Sequence, residues 1–582
     1  MRIASICLVM LIISVSLWGH TANRPMRGDP AAVRGGVLTL HTPEFPESFN
    51  SFINNEIDVD QVTSLVYDTL LDLNPDNLEF EPLIASSWKI SPDKKTFTFT
   101  IDPRAKWSDG QPITAQDVSF TYDTIMDKNN LTSVLRLFFD RFEKPVITGE
   151  RTIRFTAKTV HYENFVTLAG MNILPEHLYK GKDFNKSFNM ALPGSSGPYS
   201  LSEVRDGRGY TLTRRKDYWA DVLPGRTHMF NFDKIIFRVI RETDVAFEAF
   251  KKGDFDVFSY YTQLTPRIWV TQTGSEKFKK NWIVKQRIYS HTPWGFRGLA
   301  LNMRKPVFKD IRVRKALFML LDRKTIIDKL LYGMDQPLNS YFPNIGDNTF
   351  VPYNPAEAGK LLGEAGYNRL DKDGYLVNIK GERLEFSILS TINEDIEKYL
   401  TIYAQSCKEA GIKVNLDLTS VATLTKKMNN YDFDAVRIGF TGSIFEDPEQ
   451  LWHSRHAQEL NGNNLPGYKN PEVDELIDSL PPVFNAEERN NIIRRMDKII
   501  YSEVPFILFW EENYYMLFYK NAFGHPGTYV SKYGSFDVRS EIIAYWWYDP
   551  LKLNKLKDAE KQGTALPVEP EVIYYDRLAA GR

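Results

Sequence analysis

Cysteine is nearly missing from this sequence: there are two, Cys7 and Cys407, in 582 residues. Cys7 falls in an N-terminal apolar run that reads as removable. The mature chain then keeps one thiol, which can close neither an intramolecular disulfide nor a cysteine-based zinc cluster. An excess of either charge is missing too. Lys+Arg number 72 and Asp+Glu 74, so no basic surplus is available to neutralise a phosphate backbone, and nucleic acid is not an expected partner. Gly-x-Ser-x-Gly, a phosphate loop, Gly-x-Gly-x-x-Gly and His-Glu-x-x-His are all absent. Acidic pairs such as Glu511-Glu512 have no recognisable partner for glycoside chemistry. Internal repeats and low-complexity linkers are also lacking.

What is present points to export and to a large folded body. Met1-Arg2 precedes an uncharged, apolar run from Ile3 to Leu17. A positive start before about 15 apolar residues is the pattern of a secretory signal peptide, whereas a spanning helix wants about 20. Residues 1–22 are therefore expected to be removed on export. Hydrophobic residues make up 43% and charged residues 25%, which excludes a disordered or collagen-like chain. The length suits roughly three or four structural units and a core that needs no staple. Aromatic residues reach 13%; that much flat surface fills a large core and also suits a broad ligand cleft.

Period-two alternation predicts strands at Val37 to His41, at Thr96 to Ile101, and around Ile153, Phe155 and Ala157. Asn354-Pro355 and Asn470-Pro471 each place a cap residue before proline at the first helical position, and Asn485 with Glu488 has capping-box spacing. The first of these helices is expected to stop at Gly366. Arg312-Val313-Arg314 opens an amphipathic helix whose arginines read as a solvated face or as partners in interlobe ion pairs. Cys407 sits on a helical pattern as a core thiol. The lysine-rich tail after Asp549 reads as peripheral chain. Strands and helices alternate throughout, giving an α/β or α+β class in several lobes.

A long set of segments then resembles one family. Leu83-Ile84-Ala85-Ser86-Ser87-Trp88, Phe97-Thr98-Phe99, and Lys106-Trp107-Ser108-Asp109-Gly110 with Pro112, Thr114, Ala115, Asp117 and Val118 resemble the signature of the extracellular solute-binding proteins of family 5. These are the receptors of peptide, nickel and opine importers. Gly197-Pro198-Tyr199, Arg214 with Asp217-Tyr218-Trp219, Phe308 to Ala316, Tyr353-Asn354-Pro355, and Gly467-Tyr468 with Asn470-Pro471 come in the same order. Asn231 to Ile235 and Tyr545-Trp546-Trp547-Tyr548-Asp549 look most like the Yej-type receptors for oligopeptides and microcin C. The resemblance spans about residues 35–550.

The resemblance implies an α/β, type II periplasmic binding protein with two lobes, a hinge and a smaller extra domain inserted in lobe I. Lobe I is expected at 35–70, 190–295 and 525–582, the extra domain at 71–189, and lobe II at 296–524. It also implies a non-enzymatic, monomeric receptor that closes on a solute and delivers it to an inner-membrane ABC permease, with no cofactor. Oligopeptides or peptide-like solutes are the expected ligands. A receptor for a nickel chelate or an opine is the alternative, and an exported hydrolase is a distant one.

The resemblance implies site residues as well. Oligopeptide receptors of the family carry a run similar to Phe433-Asp434-Ala435-Val436-Arg437-Ile438-Gly439-Phe440-Thr441-Gly442-Ser443. There an Arg at the position of Arg437 meets a peptide carboxylate, and an Asp at the position of Ser443 takes the α-ammonium. Arg suits the first role by its planar fork, and an anion suits the second because a desolvated ammonium needs a partner. This chain keeps the Arg and has Ser443 in place of the Asp, with Glu446 and Asp447 close by as substitute anions. The competing reading makes Arg437 a structural partner of Asp434 or Glu446. Aromatic candidates are Phe440, Phe45 and Phe49 after the first strand, Tyr260 and Tyr261 after Phe255-Asp256-Val257, and Trp294 just before the expected crossing between lobes; core packing is the competing reading for the aromatic ones. Trp107 is expected to pack the inserted domain. His453 and His456, near Glu446 and Asp447, form a conceivable but disfavoured metal cluster.

Overall fold

The computed structural model describes residues 27–54, 56–259 and 265–579. The expected signal peptide, and Tyr260 and Tyr261, lie outside the described residues. β1 (Val37–Thr42) buries Leu38 and Leu40. The chain then leaves to build a small antiparallel sheet from β2 (Ala85–Ile90), β3 (Thr96–Ile101), β4 (Val146–Gly149) and β5 (Thr152–Thr156), in the order β2-β3-β5-β4. In β3 the apolar residues Phe97, Phe99 and Ile101 are buried and the threonines stand half-exposed, so the alternation in sequence is the alternation in space. Between β3 and β4, Thr114 and Asp117 cap α1 (Ala115–Met126) reciprocally. Trp107 is fully buried and stands edge-on to Tyr67 at 6.4 Å, which ties the small sheet's unit to the stretch of chain between β1 and β2.

β6 (Tyr199–Arg205), β7 (Gly209–Arg214), β8 (Lys234–Val239), β9 (Val257–Phe258) and β10 (Ile283–Tyr289) return to the first sheet, where β1 pairs in parallel with β8. The chain then crosses to another sheet, made of β11 (Phe296–Leu301), β12 (Glu385–Thr391), β13 (Lys413–Thr419), β14 (Ala435–Phe440) and β15 (Phe506–Leu508), in the order β13-β12-β14-β11-β15. It crosses back through 509–514. β16 (Tyr515–Lys520) and β17 (Val572–Tyr574) complete a sheet of eight strands, β17-β10-β16-β9-β1-β8-β7-β6. The return comes at Tyr515, earlier than the boundary expected at 524.

Around the second sheet stand α2 (Ile311–Met319), α3 (Pro355–Glu364), α4 (Glu394–Glu409), α5 (Pro471–Ser479) and α6 (Ala486–Glu503), of which α3, α5 and α6 carry the caps read from sequence. Asn354 accepts the Glu357 amide, Asn470 those of Glu472 and Val473, and Asn485 that of Glu488. Gly366, at φ +95°, comes just after α3 in the left-handed region where a Cβ is costly. One large apolar core lies under the eight-stranded and four-stranded sheets together, a smaller cluster around Phe247, Phe258 and Phe518 packs on the large sheet, and a separate core lies under the five-stranded sheet, so the molecule has two lobes. No helix among the described residues is long and apolar enough to cross a membrane.

Two expectations change. The tail after Asp549 is not peripheral: α7 (Pro550–Gln562) is capped by Asp549, and β17 adds in parallel to the edge of the large sheet, burying Ile573. Its buried apolar residues are only Leu556, Ala559 and Ile573, too few to show in composition. Arg314 is not on a solvated face either. It is buried, and its guanidinium donates to the carbonyls of Phe308, Lys309 and Glu503, while Arg312 pairs with Asp310 at 2.6 Å.

Candidate functional site

The lobes meet along a seam spanned by two crossing segments, 290–295 and 509–514. The first is fixed by close packing. A Cβ on Gly295 would sit 1.7 Å from the Phe440 carbonyl oxygen, and one on Gly442 would sit 2.6 Å from that of Pro293. The end of β14 therefore runs against the crossing, and only glycine fits at those two positions. Trp294 lies there too, buried, with ring centroids 5.3 Å from Tyr515 and from Phe536. It belongs to the first lobe's core. In the second crossing, Glu512 Oε1 stands 3.7 Å from Arg297 on β11. The Tyr514 hydroxyl donates to Asp335 at 3.3 Å. Burial and the neighbouring Glu512 push the Asp335 carboxyl well above the usual carboxylate range.

Arg437 lies on β14 opposite Leu299 and is half-buried. Its Nε donates to the Tyr399 hydroxyl on α4 at 3.1 Å, and among the described residues no carboxylate lies within ion-pair distance. Neither structural partner weighed from sequence holds it. Asp434 accepts the Ser387 amide and faces Lys305 at 3.9 Å, and Glu446 accepts the Ser443 amide at 3.1 Å. Tyr399 in turn lines a cavity of about 110 Å³ with Tyr332, Asp395 and Lys398 from the second lobe and Arg267 from the first. Ser443 closes a local turn, its hydroxyl donating to the Phe445 carbonyl at 2.9 Å.

At the far end of the same strip, 446–447 meets the small sheet's unit. The Tyr162 hydroxyl donates to the Glu446 carbonyl at 2.5 Å, and Arg141 bridges Asp447 at 3.4 Å and Glu163 at 2.8 Å. Burial pushes the Glu446 carboxyl up to about 7, partly offset by the Ser443 amide. Burial and Asp447 raise Glu163 as well, while burial and Arg141 lower His161. His161, Glu163 and Asp447 each offer an atom within 4.8 Å of the others, the one grouping of three such donors among the described residues. His453 and His456 do not join it: they face Asp474, Asp478, Glu449 and Glu459.

The structure thus separates the candidates. Arg437 stands beside the seam cavity through Tyr399, and Ser443, Glu446 and Asp447 stand at the other end of the seam. Phe49 is fully buried against Tyr210 at 4.9 Å and is a core residue, while Phe440, 5.3 Å from Phe296, and Phe45, packed on Phe49, are half-buried at the margins of the two cores. Aromatic side chains placed after strands are as useful for filling a lobe as for lining a cleft, and period alone does not separate the two. Sequence reasoning missed Arg141, His161, Tyr162, Glu163 and Tyr399. No motif links 141–163 to 446–447; only the fold brings those segments together.

Comparison with known proteins gives the chain a context. Residues 79–462 match the family model of the bacterial extracellular solute-binding proteins, family 5 Middle. A protein of Escherichia coli (strain K12) named YejA is 27% identical over 578 residues, covering 92% of this chain and 92% of that protein. The peptidoglycan-binding protein YepA of Agrobacterium fabrum is 26% identical over 486 residues, covering 75% of this chain and 78% of its own. The structure of the oligopeptide-binding protein AppA of Bacillus subtilis in complex with a nonapeptide superposes with a TM-score of 0.72 at 23% identity, over 89% of this chain and all of AppA.

Proposed function

The chain belongs to family 5 of the bacterial extracellular solute-binding proteins, and on that premise we propose that it captures oligopeptides or peptide-like solutes between its lobes and hands them to an inner-membrane ABC permease. It acts in the periplasm as a monomer, after loss of residues 1–22, and without turning its ligand over. The supporting similarities are to proteins that bind a nonapeptide and peptidoglycan.

The observation that carries the reading is Arg437. Its terminal guanidinium nitrogens make no hydrogen bond among the described residues, and its Nε is held by a tyrosine that lines the seam cavity. A half-buried guanidinium with an empty fork and no carboxylate partner is poised for a ligand carboxylate. Glu446 supplies the other polarity: a carboxylate with no cation within ion-pair distance among the described residues, whose one bonded oxygen takes the Ser443 amide. Ser443 holds the turn and carries no charge.

Mass spectrometry of the small molecule that co-purifies identifies the solute and separates a peptide from a nickel chelate or an opine. Titration calorimetry then tests the site. Arg437→Ala should weaken a carboxylate-bearing ligand about tenfold or more, the worth of one charged hydrogen bond, with the melting temperature nearly unchanged. Ser443→Asp should strengthen ordinary short peptides by offering an anion to the α-ammonium. Unchanged affinity with lost stability in Arg437→Ala would sink the assignment.

A further inference from the structure

We propose that Arg141 and the segment 161–163 of the inserted domain form a clasp that holds the lobes together by gripping 446–447 and 481–484 of the second lobe. The clasp rests on the receptor reading above and adds to it a task for the inserted domain, which otherwise only packs on the first lobe. The grip is made of chemically independent contacts. The Tyr162 amide donates to the Pro481 carbonyl at 2.9 Å, and its hydroxyl donates to the Glu446 carbonyl at 2.5 Å. Its ring lies under the Arg489 guanidinium at 4.4 Å, and Arg489 is itself held by the carbonyls of Val483 and Phe484. One tyrosine thus engages the second lobe through its amide, its hydroxyl and its π face. Lys94, at the turn between β2 and β3, stands 5.7 Å over the Phe484 ring and extends the contact.

Charge closes the grip. Arg141 lies 2.8 Å from Glu163, 3.4 Å from Asp447 and 3.5 Å from His161 Nδ1. Those three groups are the set whose spacing suits a metal ion. The guanidinium stands among them, as an internal cation that no change of pH in the working range removes. Two of the donors come from the inserted domain and one from the second lobe, so whatever cation sits there joins the two bodies. A clasp keyed by Arg needs no metal supply. It still hides the geometry of a metal site, and that hidden geometry provides the test.

The experiment uses the full mature chain and zinc chloride as probe. In Arg141→Ala the three donors lose their cation, and the variant should bind about one Zn²⁺ with an affinity about tenfold or more above that of the unaltered protein. Because the donors belong to both bodies, zinc should also reduce its radius of gyration in small-angle scattering, and Asp447→Asn added to Arg141→Ala should abolish both effects. Zinc binding without compaction, or compaction that survives Asp447→Asn, overturns the clasp. Tyr162→Phe supplies a metal-free arm: it should release the co-purified solute faster than the unaltered protein, and an unchanged release rate counts against the grip. Failure of the receptor reading would look different, as zinc-dependent compaction of Arg141→Ala in a protein that carries no solute.

Discussion

Glu512 is buried in the second crossing with the Arg297 guanidinium 3.7 Å away, and Asp335 crowds it from the second lobe. Burial raises both carboxyls, and for Asp335 the neighbouring Glu512 adds to the rise. Removing the cation leaves the buried negative charge that Glu512 and Asp335 share, which Arg297 holds through Glu512, without its compensating partner. Arg297→Ala should therefore cost about 3–5 kcal/mol, read from urea unfolding. A loss below about 1 kcal/mol, the value of an exposed pair, would show the crossing to be better hydrated than its burial implies. At Cys407 the same physics acts on a thiol. It is fully buried on α4, and burial pushes its pKa up to about 12. The folded protein should resist an aromatic disulfide reagent and release one equivalent of reaction only after denaturation. Rapid labelling of the native chain would contradict this.

Among the elements, β17 is the most informative about how little holds an edge. It lengthens the large sheet by pairing Arg287 with Val572, Ile288 with Ile573 and Tyr289 with Tyr574, and Ile573 alone is buried. Ile573→Asp places a carboxylate against that core and should detach the strand, because an unpaired buried charge costs several kcal/mol or more. Limited proteolysis should then cut between α7 and β17 while the rest of the chain survives. Equal resistance of the variant and the unaltered protein would mean that α7 holds the tail by itself. The meeting of β14 with the first crossing has no such slack, since a Cβ on Gly295 would lie 1.7 Å from the Phe440 oxygen. Gly295→Ala should lower the melting temperature more than any single cap removal, whose usual cost is about 1 kcal/mol.

For the molecule as a whole, the seam makes closure depend on pH. Glu446 has an ordinary value of 4.5 and is pushed up to about 7 by burial where the lobes touch. Glu163 moves the same way. If opening rehydrates them, the closed form binds protons that the open form has lost between 4.5 and about 7. Their contribution to closure is then present at acid pH and is lost as pH rises through about 7. His161 opposes this, because its lowered value keeps it neutral in the closed form while the open form protonates below 6.5. The groups that face these three are Arg141, Asp447, Tyr162 and Arg489, with Ser443 through its amide. Two carboxyls outweigh one imidazole, so the radius of gyration should grow on alkalinisation through about 7. Glu446→Gln with Glu163→Gln should flatten the trend. A wild-type profile without slope would refute it.

The sequence by itself determined the local rules of this protein. Threonine–apolar alternation made β3, Asn before Pro started α3 and α5, Trp107 went to the core, and motifs in fixed order marked the family. These are short-range effects, in which the backbone and its near neighbours settle the outcome. Tertiary structure alone decided where the candidate side chains stand. Phe49 and Trp294 went to cores, Arg437 turned to Tyr399, and Asp447 found Arg141 some 306 positions away in the chain. Such pairings leave no period or spacing to read. Side chains of one chemistry serve equally in a core, an ion pair or a cleft, and the choice rests on which distant segment the folded chain lays beside them.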